Sequence, residues 1–267
     1  MIRIFQEEAR NVEKGASYGF DALDRLTGGA KKGHLSILAA RPKRYKTWIG
    51  LKAFVEQQKQ GLAPVFFNLE LSDVEIYQRL VCLVTGTSFA KMKHGTTSEA
   101  EWLRIDERME DFKSRGPAYI ISPPYEKRTV DDLILEVQRL QAGSVIIDQL
   151  SYLQWKGNVQ REDQGFRQVV HAMKNAAIKL EMPWYCIVQF NREAANLEEM
   201  AGADKVGLTR SIEETCDIMI GLHRTKAQME DNEVELGIVE ARHCSSAHNW
   251  TIDVDLNNST SFIMRSE

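Results

Sequence analysis

Lys46 and Thr47 stand side by side where a strand-like apolar run and a short basic loop lead into a predicted helix. This layout is typical of a phosphate-binding loop, in which backbone N–H groups and a helix N-terminus surround the phosphates, the lysine supplies a charge and the hydroxyl coordinates magnesium. The usual pattern is G-x-x-x-x-G-K-[ST], and here Ala40 and Tyr45 replace the glycines. The predicted nucleotide-contacting residues are Arg41, Pro42, Lys43, Arg44, Tyr45, Lys46 and Thr47.

The tyrosine matters because the last glycine of such a loop lets the backbone approach phosphate without interference from a Cβ atom. We expect Tyr45 to keep a negative φ, with its ring pointing away from the ligand. Cations at Arg41, Lys43 and Arg44 could compensate electrostatically, so the sequence predicts weaker or altered nucleotide binding. The competing interpretation is a basic loop before an ordinary helix, with Lys46 solvated.

Three polar side chains end neighbouring predicted strands, where open α/β sheets bind ligands. Asp148 closes the run Val145–Ile147 and, with Thr47, would hold magnesium. Glu70 is placed to act as general base on the water that attacks a γ-phosphate, and Gln189 is placed to sense that phosphate. Each has an ordinary alternative as a strand-end or helix-capping residue, since Ser72 is a natural N-cap after Glu70.

Further cations are weaker candidates. Arg242 could stabilise transition-state charge across a subunit interface, although a lone arginine is usually a surface residue. Two polar loops could bind single-stranded nucleic acid, although a solvated loop explains them equally well. The predicted DNA-contacting residues are Lys156, Arg161, Arg167, Arg192 and Lys205.

Alternating strand-like and helical segments predict an α/β fold with a mostly parallel sheet flanked by helices and a C-terminal β-hairpin. The predicted strands are Leu35–Ala40, Pro64–Leu69, Ala118–Ser122, Ser144–Asp148, Trp184–Gln189, Asp217–His223 and Leu236–Ala241, with a hairpin over Trp250–Met264. The predicted helices are Lys46–Gln60, Ser72–Thr85, Ser98–Ser114, Thr129–Gln141, Gln164–Leu180 and Arg210–Cys216.

Composition limits the class of protein. The 267 residues are 43% hydrophobic and 27% charged, which suits one globular domain, predicted here as 17–267 after an arm at 1–16. The net charge of −4 argues against a uniformly basic surface but leaves room for a local groove. We expect no membrane contact and a cytoplasmic location, because no apolar run reaches the roughly 18 residues of a membrane span. The four cysteines show no metal-binding spacing.

Six segments in order resemble the RecA-like motor domain of the DnaB-type replicative helicases, a family of P-loop NTPases. They are Tyr18–Gly29, Leu38–Pro42 with Lys46-Thr47, Phe67–Ser72, Ile146–Leu150, Gln189–Arg192 and Ser211–Asp217. The resemblance extends from Ala16 to Asp255.

This resemblance implies ATP and Mg²⁺ as cofactors, single-stranded DNA as substrate, a homo-oligomer (a hexameric ring with ATP sites between subunits) and replisome partners such as a primase or helicase loader. It gives Arg242 the role of a finger in the neighbour's site, and Lys46, Thr47, Asp148, Glu70 and Gln189 roles in the subunit's own site. The short chain and its altered motifs suggest replication of a phage or mobile element, in the cytoplasm of a bacterial cell or a phage-infected host.

Three departures from the family pattern leave alternatives open. They are Tyr45 in the loop, Glu240 where the family's Lys-x-Arg pair has its lysine, and the missing counterpart of a helical N-terminal domain. One alternative is a hydrolysis-deficient RecA-fold protein that binds DNA, loads a helicase or acts as a scaffold. Another is a RecA- or RadA-like recombinase, which would form filaments.

Overall fold

The computed structural model describes residues 14–157, 159, 161–189, 209–246 and 248–265. Within these residues the strands are β1 Leu35–Ala40, β2 Pro64–Asn68, β3 Tyr119–Ile121, β4 Ser144–Asp148, β5 Trp184–Gln189, β6 Ile218–His223, β7 Glu233–Ala241, β8 Asn249–Asp255 and β9 Ser261–Met264. The α-helices are α1 Asp21–Thr27, α2 Lys46–Lys59, α3 Asp73–Thr85, α4 Phe89–His94, α5 Glu99–Ser114, α6 Val130–Leu140, α7 Glu162–Lys179, α8 Thr209–Thr215 and α9 Lys226–Glu230.

One sheet joins all these strands in the order β3-β2-β4-β5-β1-β6-β7-β8-β9. The first six strands pair in parallel, and β7, β8 and β9 continue the sheet antiparallel. The predicted α/β fold, with its mostly parallel sheet and its C-terminal hairpin, is confirmed.

Burial explains why these segments form central strands. Every residue of β1, β2 and β4 is buried, as expected for parallel strands covered by helices on both faces. Two separate hydrophobic clusters lie on the two faces: Leu38, Ile146 and Ile187 belong to one, and Ile37 and Ile147 to the other. Alternate residues of the same strands therefore enter opposite cores.

Local signals fix several helix starts. Ser72, Ser98 and Thr129 each form a capping box, in which the N-cap hydroxyl accepts from the third helical N–H and the acid at that position reaches back. Helix α2 has no side-chain cap; it begins directly after Tyr45. The start of α2 is therefore held by the surrounding tertiary structure.

The element boundaries differ from the sequence-based ones in a few places. Helix α7 begins two residues before the predicted Gln164, and β7 begins at Glu233 instead of Leu236. The short helices α1, α4 and α9 were not predicted, because five to seven residues are too few to show a clear helical period.

The N-terminal arm predicted at residues 1–16 falls mostly outside the described residues, which begin at Lys14. Gly15 and Ala16 are hydrogen-bonded to the backbone of Gly28 and Ala30 at 2.8 Å. Among the helices that the structure describes, none combines the length and hydropathy that a membrane span requires.

Candidate functional site

The predicted chemical groups come together at the carboxyl ends of the central strands. Strand pairing places Asn68 beside Asp148 and Ala40 beside Gln189, so the ends of β1, β2, β4 and β5 form one edge. Lys46 and Thr47 open helix α2 above this edge. This is the position at which open α/β sheets bind ligands.

Lys46 lies at the centre of this group. Its ammonium contacts the Glu70 carboxylate, donates to Gln149 Oε1 at 2.5 Å and lies 3.7 Å from Asp148 Oδ1. The lysine side chain is only 7% exposed. It is therefore a buried cation held by two acids and an amide, which excludes the alternative of a solvated lysine.

Asp148 is completely buried, and only one of its two oxygens accepts a hydrogen bond. Thr47 Oγ1 donates to its Oδ2 at 2.6 Å, whereas its Oδ1 has no hydrogen-bond partner. Burial raises the pKa of this carboxyl, against the opposing effects of the Lys46 charge and the Thr47 hydrogen bond. A hydroxyl beside a buried carboxylate oxygen without a partner is a donor set that fits Mg²⁺.

Glu70 is positioned by the turn that follows β2. Leu69 N–H donates to the Asp148 carbonyl at 2.7 Å, and the Asn68 side chain binds the backbone of Leu71 on both its N–H and its carbonyl. These bonds hold Glu70 next to the end of β4. Its side chain is 28% exposed, so water can reach it.

Tyr45 corrects one prediction about the loop. Its φ is +62° and its ψ 12°, so the tyrosine adopts the left-handed conformation and not the expected negative φ. Lys43 also has a positive φ of 59°. Each such residue costs about 1–2 kcal/mol relative to the right-handed form, unless it is glycine. The backbone has thus kept a geometry that suits glycine, and other contacts must hold the tyrosine in it.

The Tyr45 ring is directed away from Lys46 and Thr47, as predicted. Its hydroxyl accepts a hydrogen bond from Arg224 Nη1 at 2.9 Å, and its ring meets Phe262 edge-on with 5.7 Å between centroids. Both partners belong to the side of the sheet that carries β6 and β9. Asp148 and Glu70 are on the other side of β1.

The loop arginines form a cluster of positive charge. Burial lowers the pKa of Arg41 and of Arg44, and the nearby charges of Arg224 and Arg41 lower the pKa of Arg44 further. Arg44 Nη1 contacts Met229 Sδ at 3.4 Å, and its Nε has no partner. Such mutually repelling cations favour a bound anion.

Two residues of this region were not predicted. Gln149, which holds the Lys46 ammonium, was noted only as the neighbour of Asp148. Arg224 follows β6, the strand on the other flank of β1. The rule that ligands bind at strand ends had been applied to the first, second, fourth and fifth predicted strands; applied to β6, it would have pointed to Arg224.

Two further candidates differ in position. Gln189 ends β5 beside Ala40, at the carboxyl edge of the sheet, and is exposed. Arg242 follows β7, whose last residue Ala241 pairs with Ile218 at the opposite, amino end of the parallel strands. That end is about 17 Å from the carboxyl edge, at 3.3 Å per residue. Arg242 thus cannot serve the site of its own chain.

Each described DNA-binding candidate is paired with an acid, and Arg167 lies in helix α7 and not in the predicted loop. Lys156 is ion-paired with Asp131, Arg161 with Asp163 at 3.0 Å, and Arg167 with Glu214 at 3.3 Å. These pairs are on the surface, where such contacts contribute about 0–1 kcal/mol and can exchange for phosphate. The other two candidates, Arg192 and Lys205, lie outside the described residues.

Sequence comparisons with known proteins agree with this geometry. A family model described as "DnaB-like helicase C terminal domain" matches residues 15–257. The replicative DNA helicase DnaB of Leifsonia xyli subsp. xyli (strain CTCB07) is 29% identical over 237 residues, 86% of this chain and 51% of that protein. The DnaB of Geobacillus stearothermophilus is 25% identical over 245 residues, 86% of this chain and 52% of that protein. The chain thus spans about half the length of these curated relatives.

Solved structures show the same fold. One of them, an isolated ATPase domain, superposes with a TM-score of 0.85 at 20% identity, covering 97% of this chain and 96% of that one. A DnaB-like replicative helicase, studied for its interactions with primase, also gives a TM-score of 0.85, at 19% identity, over 97% of this chain and 65% of that one.

Proposed function

The chain belongs to the DnaB-like helicase C-terminal domain family, and from that premise we propose that it is an ATP- and Mg²⁺-dependent motor acting on single-stranded DNA in replication. Its fold is RecA-like, as the six matching segments predicted. The observation that carries the proposal is the convergence of Lys46, Thr47, Asp148 and Glu70 at one sheet edge, where one Asp148 oxygen accepts no hydrogen bond and meets only the Lys46 charge at 3.7 Å.

Each group has a distinct part in the proposed chemistry. Lys46 would move its charge from the acids to the incoming phosphates, while Thr47 and Asp148 would hold Mg²⁺, which neutralises charge on the β- and γ-oxygens when bound. Glu70, partly exposed beside this group, would orient and deprotonate the attacking water. Gln189 would contact the γ-phosphate from the end of the neighbouring strand.

The position of Arg242 supports catalysis between subunits. The arginine is exposed, and its Nη2 donates to the Glu214 carbonyl at the far end of the strands from Lys46. Only a neighbouring copy could bring this guanidinium to a γ-phosphate, which fits a closed ring. We propose a hexamer in which Lys156, Arg161, Arg167, Arg192 and Lys205 face the DNA, and a primase or helicase loader as partner. The bacterial cytoplasm is the corresponding location.

A hydrolysis-deficient scaffold was the main alternative, because of Tyr45 and Glu240. The position of the Tyr45 ring removes part of its support, since the ring contacts Arg224 and Phe262, on the side of β1 away from Asp148 and Glu70. Glu240 is an exposed residue of β7, two positions before Arg242, so in the proposed ring its charge bears on the neighbour's site and not on the chain's own Lys46 group.

Turnover of Mg-ATP by the Glu70→Gln variant tests the proposal. Loss of the base should lower turnover by about 10²- to 10⁴-fold. Nucleotide binding should stay within about threefold, because the amide keeps the shape of the side chain and the charge that it takes from Lys46 is replaced by that of the bound phosphates. Glu56→Gln, at an exposed ion pair with Lys59 on α2, is the matched control and should behave as wild type. Binding without turnover in the wild-type chain, with and without single-stranded DNA, would favour the scaffold instead.

A further inference from the structure

We propose that Arg224 is a positioning residue for the phosphate loop, holding the Tyr45 ring outside the phosphate site so that a tyrosine can occupy the left-handed position of the usual glycine. The inference rests on the proposed nucleotide site and deepens it, because it names the contact that sets nucleotide affinity there.

Arg224 makes two contacts with the same ring. Its Nη1 donates to the Tyr45 hydroxyl at 2.9 Å, and its guanidinium carbon lies 5.0 Å from the ring centroid. The second distance is within the range of a cation–π interaction. Phe262, on β9, closes the remaining side of the ring. Both the tip and the face of Tyr45 are therefore fixed.

The arginine itself is fixed by the backbone. Its Nε donates to the Gln228 carbonyl at 3.3 Å and its Nη2 to the Met229 carbonyl at 3.2 Å. Thr225 starts the short helix that presents these carbonyls with a capping box. Arg224 is 9% exposed, so all three guanidinium nitrogens are engaged in a buried setting. A lysine has no such fork and could not replace these bonds.

These contacts hold the conformation of Tyr45 in a loop that has no other cap. Helix α2 starts at Lys46 without a side-chain cap, and Tyr45 is its left-handed N-cap residue. A tyrosine released from Arg224 would relax toward negative φ, because only glycine occupies the left-handed region without a steric cost. That change would rotate the first N–H groups of α2, which face the phosphates in this type of site.

An electrostatic role for Arg224 makes a different prediction. The side chain has no carboxylate partner among the described residues, and its charge is close enough to lower the pKa of Arg44. If Arg224 acted by charge alone, its removal would weaken nucleotide binding whatever residue stood at position 45. If it acts through Tyr45, its removal matters only while the tyrosine is present.

Calorimetric titration of the full chain with Mg-ADP separates the two roles. Arg224→Gln should weaken binding about five- to tenfold in the Tyr45 protein, which is the net effect expected for loss of one typical hydrogen bond. In the Tyr45→Gly background the same change should cost less than twofold. Tyr45→Gly alone should bind at least as tightly as the wild type. Arg224→Lys should lose as much as Arg224→Gln, and the matched control Arg139→Gln, at an exposed pair with Glu136, should lose nothing.

Equal losses in the two backgrounds, or wild-type affinity for Arg224→Lys, would overturn the positioning role. Circular dichroism checks folding; if Arg224→Gln does not fold, Tyr45→Phe removes only the bonded oxygen and should weaken binding about two- to threefold. A wild-type chain that binds no nucleotide would contradict the proposed function itself. Melting temperatures measured without nucleotide would then test the positioning role. Arg224→Gln should lower Tm more when residue 45 is tyrosine than when it is glycine. An equal drop in the two backgrounds would refute the proposal.

Discussion

Replacing Lys46 by methionine should unfold the protein more easily even without nucleotide, because this lysine is a structural cation. Its ammonium is 3.7 Å from Asp148 Oδ1, and the two side chains are 7% and 0% exposed. At an effective dielectric of about 20, such charges attract by about 4.5 kcal/mol. Part of this gain offsets the cost of burying them, so we expect a net loss of about 3 kcal/mol when Lys46 is removed. The corresponding fall in Tm is about 6–12 °C.

A second substitution identifies the cause. The double variant Lys46→Met/Asp148→Asn leaves no unpaired buried charge and should recover to within about 1 kcal/mol of the wild type. Both Lys46→Met and the double variant should lose nucleotide binding, although only Lys46→Met should lose stability. Lys59→Met, at an exposed ion pair with Glu56, is the matched control and should change stability by less than about 1 kcal/mol.

The pH dependence gives an independent check on the same variant. Burial already raises the pKa of Asp148 above its ordinary 3.8, and Lys46 is the main group that opposes the rise. Without Lys46 the folded state binds that proton more tightly than the unfolded chain, so the free energy of unfolding should increase as the pH falls toward 3.8. The difference in the free energy of unfolding between wild type and Lys46→Met should therefore become smaller at acid pH. Scanning calorimetry measures this difference. A Tm of Lys46→Met within about 2 °C of wild type at neutral pH, or a double variant no more stable than Lys46→Met, would refute the reasoning.

Three further outcomes are expected. Gly50→Ala should destabilise the fold by about 1–2 kcal/mol in urea unfolding, because the new Cβ would lie 2.7 Å from Ile187 Cδ1, and Ile187→Val should restore part of the loss. Arg242→Ala should reduce ATP turnover by at least about 100-fold with unchanged nucleotide affinity, and should inhibit wild-type subunits when the two proteins are mixed. Full activity of the variant would exclude a finger role. Lys156→Ala and Arg167→Ala should each lower the salt slope of single-stranded DNA binding by about 0.7 in anisotropy titrations, whereas an unchanged slope would place that residue away from the DNA.

The sequence predicted which side chains meet at the carboxyl edge, because parallel strands all end at the same edge of the sheet. Asp148 and Lys46 could be assigned from the apolar runs that precede them, and the structure brings them within 3.7 Å. The antiparallel direction of β7 could not be predicted from the sequence. A run of buried residues such as Leu236–Ile238 carries no signal for strand direction, and pairing with β6 is what makes it antiparallel.

The conformation of Tyr45 could not be predicted from its neighbours in the chain. Local preference alone gives a tyrosine a negative φ. The left-handed value depends on Arg224 and Phe262, which are about 180 and 220 residues away in sequence and meet the ring only after β6 and β9 have joined the sheet. The sequence also contained no indication that exposed cations pair with nearby acids, as Lys156 does with Asp131.

The two carboxylates around Lys46 look alike in the sequence, since each follows an apolar strand, yet their environments separate their roles. Asp148 belongs to β4, which has a strand on each side, and it is 0% exposed. Glu70 lies two residues beyond the end of β2 and is 28% exposed. A buried carboxylate with one oxygen that accepts no hydrogen bond suits a metal ion, because the protein already holds it in place. An acid in contact with solvent suits proton transfer from water, because the water can reach it. We therefore propose Asp148 as the metal ligand and Glu70 as the base from their positions relative to the sheet edge, which residue type alone does not separate.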